Sequence, residues 1–94
     1  MRLKHWQGYG CINAKTTEFR MCEDGTNIVR VRVTGSHEWG LATSDMYTVH
    51  HWLGPRFMKD CSDPRQILDM SVYPESDTSV LYEIRYRPDA VNKN

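Results

Sequence analysis

The sequence predicts an α+β domain in which a four-stranded antiparallel sheet, made of two hairpins, carries a single helix on one face. Four segments alternate apolar and polar residues with the period of a β-strand, and one segment between the second and third of them repeats apolar residues with the period of a helix. The order strand, strand, helix, strand, strand normally forms a two-layer structure. The chain of 94 residues is expected to be one domain, 1–94, because this length leaves no room for a second core.

The first hairpin is predicted from residues 10–34. In the first strand, residues 10–22, the apolar positions change parity between Thr16 and Phe19. A β-bulge explains the change, since one extra residue keeps both sets of side chains on the same face. Residues 23–26 contain Asp-Gly, the dipeptide typical of a tight turn. The second strand, residues 28–34, then places a valine at every second position, with Arg30 and Arg32 between the valines.

The helix is predicted to begin after Ser44 or Asp45, since either side chain can accept a hydrogen bond from the first free backbone N–H groups. Apolar residues then recur at helical spacing and define the side that faces the sheet. They are Met46, Val49, Trp52, Leu53 and Phe57. Proline clashes with the preceding helical turn, so the helix either stops before Gly54 or kinks at Pro55 and continues to about Lys59. The apolar residues beyond the proline favour the kink.

The second hairpin is predicted around a turn at residues 74–77. In its first strand Leu68, Met70 and Val72 are expected to face the core, with Ile67 on the opposite face. The last strand, residues 79–87, ends before Pro88, which cannot continue the ladder. The predicted core combines these strands with the second strand and the helix. Its members are Val29, Val31, Val33, Trp52, Leu53, Leu68, Met70, Val80, Tyr82 and Ile84.

Composition excludes several classes of function. Twelve Lys and Arg balance twelve Asp and Glu, which argues against an acidic DNA mimic and against a strongly basic nucleic-acid binder. No apolar run approaches the roughly 18 residues of a membrane span, and Trp6 and Gln7 stand where a signal peptide would be apolar. We therefore expect a protein of the cytosol of the cell that makes it, without membrane contact. The three cysteines, in odd number and without C-x-x-C spacing, are expected to be plain thiols of a reducing compartment; they are Cys11, Cys22 and Cys61.

The face of the sheet away from the helix is predicted to carry four arginines: Arg30, Arg32, Arg85 and Arg87. Guanidinium groups donate planar, bidentate hydrogen bonds, so this set could bind phosphate or carboxylate. The alternative is a solvated face with cross-strand ion pairs, which the interleaved Asp69 and Glu83 favour. A mixed apolar and arginine face also suits a two-fold homodimer.

Two segments rich in aromatic residues and glycine, 5–10 and 35–40, are expected to be neighbours at one end of the first hairpin. Trp6, Tyr9 and Trp39 could stack on a planar ring while His5 and His37 bond its edge. These aromatic residues could equally form a cluster that closes the end of the core, or a protein interface. The stacking interpretation predicts a ligand site in which Trp6, Tyr9, His37 and Trp39 act together with the four arginines.

Catalysis and metal binding find little support in the sequence. His50 and His51 are adjacent, so on a helix they point about 100° apart and cannot easily share one metal. His37-Glu38 lacks a second histidine, and no phosphate-binding loop or dinucleotide fingerprint occurs. We therefore expect no enzymatic activity, no metal and no cofactor.

At residues 5–10, His-Trp-Gln-Gly-Tyr-Gly, and at residues 35–41, Gly-Ser-His-Glu-Trp-Gly-Leu, the chain resembles short accessory proteins encoded by bacteriophages and mobile elements. The resemblance implies a protein that acts on host machinery by binding, as counter-defence proteins do. A protein that sequesters a nucleotide immune signal needs aromatic plates and cations in a pocket. An inhibitor of a CRISPR nuclease or another host or defence protein needs an exposed patch of about 800 Å².

The arginines and tryptophans favour the first of these functions, the sequestering of a nucleotide signal molecule. Direct inhibition of a host or defence protein is the alternative. A small structural or interaction protein without a small-molecule ligand is the second alternative.

Overall fold

The computed structural model describes residues 13–35, 45–76 and 78–90, and in them it confirms the predicted fold. The described residues form one antiparallel sheet of four strands and one α-helix, and these elements follow one another along the chain in the predicted order. The elements are β1 (Asn13–Met21), β2 (Asn27–Thr34), α1 (Met46–Phe57), β3 (Ile67–Ser76) and β4 (Ser79–Tyr86). The strand order in the sheet is β1-β2-β4-β3, so the middle of the sheet is a pairing between the two hairpins.

The bulge predicted in β1 is present. Thr16 lies opposite Val31 and Glu18 lies opposite Arg30, so Thr17 is the extra residue. Phe19 therefore returns to the face of the β2 valines, opposite Val29. The turn that follows is closed by the backbone N–H of Cys22, which donates to the carbonyl of Thr26 at 2.8 Å. Gly25 has a φ of +89°, a left-handed conformation that a residue with a Cβ adopts only with strain.

The core lies between α1 and the two central strands. Alternate residues of β2 and β4 are at most 5% exposed, as expected of strands paired on both sides with one face covered. From the helix, Val49 and Leu53 are buried against them, and Trp52 packs at the margin. The buried strand residues are Asn27, Val29, Val31, Val33, Val80, Tyr82, Ile84 and Tyr86.

The helix begins after Asp45, one of the two predicted caps, and passes the proline. Asp45 accepts hydrogen bonds from the backbone N–H of Tyr47 at 3.1 Å and from the hydroxyl of Thr48 at 2.5 Å. The helix does not stop before Gly54 but continues through Pro55 to Phe57, two residues short of the predicted end. Burial of the helix against the sheet offsets the hydrogen bond that proline cannot donate.

One member of the predicted core is wrong. A second bulge, between Ile67 and Asp69, changes the parity at the start of β3. Ile67 is only 5% exposed and lies opposite Tyr86, whereas Leu68 is 46% exposed on the other face. Met70 and Val72 keep their predicted side and pack against the core. Alternation alone places Leu68 in the core because Leu68, Met70 and Val72 have the same parity, and the adjacent Ile67 does not show which of the two residues turns inward.

The predicted turn at residues 74–77 starts too early. The strand β3 continues through Pro74 to Ser76, with another shift of register between these two residues. The proline is tolerated because, among the described residues, β3 lies at an edge of the sheet and has a ladder partner on one side only.

Side-chain hydrogen bonds join the loop after the helix to the central strands. The hydroxyl of Tyr86 donates to Asp60 at 2.6 Å, and the amide of Asn27 donates to the second carboxylate oxygen of Asp60 at 3.1 Å. Burial, and then the bond to Asp60, raise the pKa of the Tyr86 phenol, which stays protonated. The C-terminal end of α1 is thereby tied to the ends of β2 and β4.

We expect Val31→Asp to lower the free energy of unfolding by about 3 kcal/mol or more, because it buries a charge without a partner. Leu68→Asp should cost less than about 1 kcal/mol, since Leu68 lies on the opposite face. Urea denaturation followed by circular dichroism measures both values. Equal losses in the two variants would contradict the second bulge.

Candidate functional site

The predicted ligand site divides into a described part and an undescribed part. Trp6, Tyr9, His37 and Trp39 lie outside the described residues, so the stacking interpretation remains a prediction. Arg30, Arg32 and Arg85 lie on the face of the sheet opposite α1, which we call the open face, while Arg87 follows the last residue of β4. In the described part of the chain the residues of this face include Lys15, Glu18, Arg20, Ile28, Arg30, Arg32, Leu68, Asp69, Ser71, Tyr73, Glu75, Leu81, Glu83 and Arg85.

Arg30 occupies the middle of a charged row that crosses three strands. The ladder aligns Glu18 of β1, Arg30 of β2 and Glu83 of β4. Two guanidinium nitrogens of Arg30 lie 2.8 and 2.7 Å from one oxygen of Glu83, and a third lies 3.6 Å from Glu18. The hydrogen bond and charge of Glu83 raise the pKa of Arg30 above its ordinary value. This guanidinium is already held by two carboxylates.

Arg32 is held in the same way by a residue of the far edge strand. Its Nε and Nη2 donate to the two carboxylate oxygens of Glu75 at 2.8 and 3.0 Å. The hydroxyl of Ser79 donates to the same carboxylate at 3.0 Å. These bonds, that from Arg32 first, lower the pKa of Glu75. Glu75 reaches across β4 because β3 continues past Pro74.

The other two arginines differ from each other. A guanidinium nitrogen of Arg85 lies 3.5 Å from the carboxylate of Asp24 in the first turn. Arg87 has no carboxylate within 4 Å among the described residues. Three of the four predicted arginines therefore contact four different carboxylates instead of sharing one empty site, and the cross-strand Arg–Glu pairs of the alternative interpretation are present. Exposed pairs of this kind add little stability each.

A depression of about 460 Å³ opens on the open face between β2, β4 and β3. Ile28 and Leu68 supply its apolar surface. Asp69, Glu83 and Arg85 supply two carboxylates and one guanidinium. One oxygen of Asp69 accepts a hydrogen bond from the backbone of Met70 at 2.9 Å, and no Lys, Arg or His nitrogen of the described residues lies within 4 Å of its carboxylate. The residues that line the depression are Ile28, Leu68, Asp69, Ser71, Glu83 and Arg85.

Sequence reasoning named the charged residues of this depression but missed its shape. Alternation places Leu68 in the core, and without Leu68 the depression has Ile28 as its one apolar lining residue. The available signal was the run Gln66-Ile67-Leu68-Asp69. Two adjacent apolar residues at the start of a strand are compatible with a bulge, but a single sequence does not say which of them turns inward.

Among the described residues, the thiol of the buried Cys61 bonds to a carbonyl oxygen and not to a base, since its sulfur lies 3.5 Å from the carbonyl oxygen of Asp63. Cys61 is 3% exposed, and burial raises the pKa of its thiol to about 11. His50 places Nε2 2.7 Å from the backbone carbonyl oxygen of Cys61. A thiol is activated by a base that approaches its sulfur. The contact with His50 is thus a link between the helix and the following loop.

Within residues 13–35, 45–76 and 78–90 no three His, Cys, Asp or Glu side chains are grouped closely enough to hold a metal ion. Cys22 and Cys61 are free thiols. In the same residues no helix is long and apolar enough to span a bilayer.

Comparison of the chain with protein-family models, with curated proteins and with solved structures finds no significant match.

We expect Cys61 to react with iodoacetamide at about pH 8 roughly 100-fold more slowly than an ordinary thiol, because a pKa of about 11 leaves little thiolate. Mass spectrometry of the peptides measures the labelling, with the half-buried Cys22 as the internal comparison. In guanidinium chloride the two should react alike. Equal rates at Cys61 and Cys22 in the folded protein would contradict the burial of Cys61.

Acid should weaken the domain through its paired carboxylates. The folded protein lowers the pKa of Glu75 below its unfolded value, so the contribution of the Arg32–Glu75 pair is present above about pH 5 and is lost as the pH falls through the lowered value. We expect the melting temperature of Glu75→Gln to fall less steeply than that of the parent between about pH 5 and pH 3. Glu23→Gln, at an exposed turn position, is the control, and identical pH profiles for the parent and Glu75→Gln would contradict the pair.

Proposed function

We propose that the chain is a non-enzymatic binding protein of the host cell cytosol that contacts another protein through the depression on its open face. The observation that supports this proposal is the composition of the depression. An apolar wall of Ile28 and Leu68 stands beside Asp69, whose carboxylate lacks an ion-pair partner among the described residues. An interface site commonly combines an apolar contact with one desolvated charge pair.

The partner is expected to present a lysine or arginine next to an apolar side chain. Its cation would lie against Asp69, and its apolar neighbour would cover Leu68, which is 46% exposed without a partner. Glu83 is bound to Arg30, so the carboxylate that attracts such a segment is that of Asp69. Tyr73, also exposed on β3, extends the contact along the same edge.

A nucleotide fits this surface less well than a protein does. A phosphate group in the depression would meet Asp69 and Glu83, and like charges at close range repel. Arg30 and Arg32 would have to leave Glu83 and Glu75 before they could bind an anion. At about 4.8 Å between strands and 3.3 Å per residue, the open face measures roughly 15 by 26 Å, which suits the central part of a protein interface.

The resemblance to accessory proteins of phages suggests a host or defence protein, such as a CRISPR nuclease, as the partner. The geometry of the arginines thus moves the preference from the sequestering of a nucleotide signal to direct contact with a protein. A homodimer through the open face would bury the ion pairs of Arg30 and Arg32 in both copies, and the desolvation of such pairs costs as much as their attraction returns.

We expect Asp69→Lys to lose the partner. Tagged parent protein, Asp69→Lys and the milder Asp69→Asn are incubated with lysate of the host cell, and retained proteins are quantified by mass spectrometry. One discrete protein should be retained by the parent and reduced about tenfold or more by Asp69→Lys, because the variant places a cation opposite the cation of the partner. Circular dichroism confirms that each variant is folded.

Glu23→Lys makes the same change of charge at an exposed turn position and is the matched control; it should retain the protein as the parent does. Equal retention by all variants would contradict the proposed site. A rise of the melting temperature with cyclic or linear nucleotides, without any retained protein, would instead support the nucleotide function. A doubled mass of the isolated parent that Asp69→Lys abolishes would identify a second copy as the occupant.

A further inference from the structure

The outer side of β1 is an exposed edge. In the described part of the chain β1 pairs with β2 only, and every residue from Lys15 to Met21 is exposed. Phe19 is 49% exposed and Met21 is 77% exposed, although both lie on the face that carries the core. An edge strand presents unpaired N–H and C=O groups to any second strand that can match it.

Two opposite charges precede and follow Phe19 in the strand, on the other face of the sheet. Glu18 and Arg20 lie on the open face on either side of Phe19, and their side chains are 3.7 Å apart. The three residues follow the bulge, so they form a regular stretch of strand that reaches Met21. A glutamate and an arginine spaced symmetrically about a phenylalanine are self-complementary when the strand meets a copy of itself in the antiparallel direction.

We propose that two copies of this chain pair through β1 about a two-fold axis at Phe19, so that the four strands of each copy continue into one sheet. Phe19 then lies opposite Phe19 of the second copy. Glu18 of each copy lies opposite Arg20 of the other. Both helices are on the same side of the joined sheet, and the depression on the open face remains accessible in each copy.

The charges select this register over its neighbours. Directly opposite residues of an antiparallel pair lie on the same face of the sheet. A two-fold axis between identical strands therefore passes through a residue that lies opposite itself, and the next possible registers place the axis at the residue before or after. Moving the axis to Glu18 places Glu18 opposite itself, and moving it to Arg20 places Arg20 opposite itself. Like charges directly opposite destabilise a pair of strands. The axis at Phe19 alone combines two opposite-charge pairs with an aromatic pair.

The bulge limits the contact to the end of β1 near the turn. Lys15 lies beyond the bulge at Thr17 and would extend past Met21 of the second copy. The overlap is therefore about five residues from each chain, a small interface compared with the roughly 800 Å² per partner of a stable complex. A dimer that forms at tens of micromolar is expected.

Light scattering after gel filtration tests the pairing on the full chain. The mass of the parent should rise from 11.0 kDa towards twice that value as the concentration increases to tens of micromolar. Arg20→Glu should weaken the dimer about tenfold or more, since it places glutamates opposite each other. Glu18→Arg combined with Arg20→Glu restores opposite charges between the two copies and should restore the dimer, and circular dichroism checks that the double variant stays folded without the Glu18–Arg30 contact.

Lys15→Glu, on the same strand outside the overlap, is the matched control and should leave the dimer unchanged. A constant mass of one chain at every concentration would overturn the proposal, as would a charge-reversed double variant that stays as weak as Arg20→Glu. Neither Glu18 nor Arg20 lines the depression, so retention of a partner protein by Arg20→Glu separates failure of the pairing from failure of the proposed function.

A cross-link tests the position of the axis. In a background with Cys11→Ser and Cys22→Ser, Phe19→Cys should form a disulfide dimer on mild oxidation, because directly opposite residues of antiparallel strands have the Cα spacing of a disulfide. Met21→Cys lies opposite Thr17 of the second copy and should not. Faster cross-linking through Met21→Cys than through Phe19→Cys would overturn the proposed register.

Discussion

The pairing of β2 with β4 is the constraint on which the rest of this structure depends. It joins strands about fifty residues apart in the chain and aligns Val31 with Tyr82 at the centre of the sheet, both 0% exposed. Since side chains alternate between the faces of a strand, the same register that buries these residues places Arg30 opposite Glu83 on the open face. A slip of one residue would exchange the core with the charged row. The register of β2 against β4 therefore fixes both the residues of the core and the residues of the candidate interface.

The helix is held to this central pair by more than apolar contact. Val49 and Leu53 pack on the valines of the sheet, while Asp60, just beyond the helix, accepts hydrogen bonds from Asn27 of β2 and from Tyr86 of β4. A buried phenol without an acceptor would be unfavourable, so Tyr86 needs this carboxylate as much as the loop needs an anchor. These bonds set where the chain enters β3, and hence where Ile67 meets Tyr86.

Two bulges decide which residues the domain offers to other molecules. The extra residue Thr17 in β1 turns Phe19 to the core face of an edge strand that the helix does not cover, so the ring stays half-exposed. The shift between Ile67 and Asp69 in β3 turns Leu68 out, beside Ile28 and the carboxylate of Asp69. Bulges are common where a strand must redirect a side chain for function. The two proposed contact surfaces of this chain both lie next to one.

Local patterns determined the fold class, the element order, the bulge in β1, a helix cap at Ser44 or Asp45 and the inward residues of β2 and β4, because each depends on neighbours within a few positions. Continuation of the helix through Pro55 also followed from the apolar residues beyond it. The partners of the arginines were decided only by the tertiary structure. Arg32 of β2, for example, bonds to Glu75 of β3, and these two strands are far apart in the chain. The outward turn of Leu68 was decided there too. The adjacent apolar residues Ile67 and Leu68 are compatible with a bulge but do not show which of them turns inward, because that depends on whether Ile67 or Leu68 fits against Tyr86.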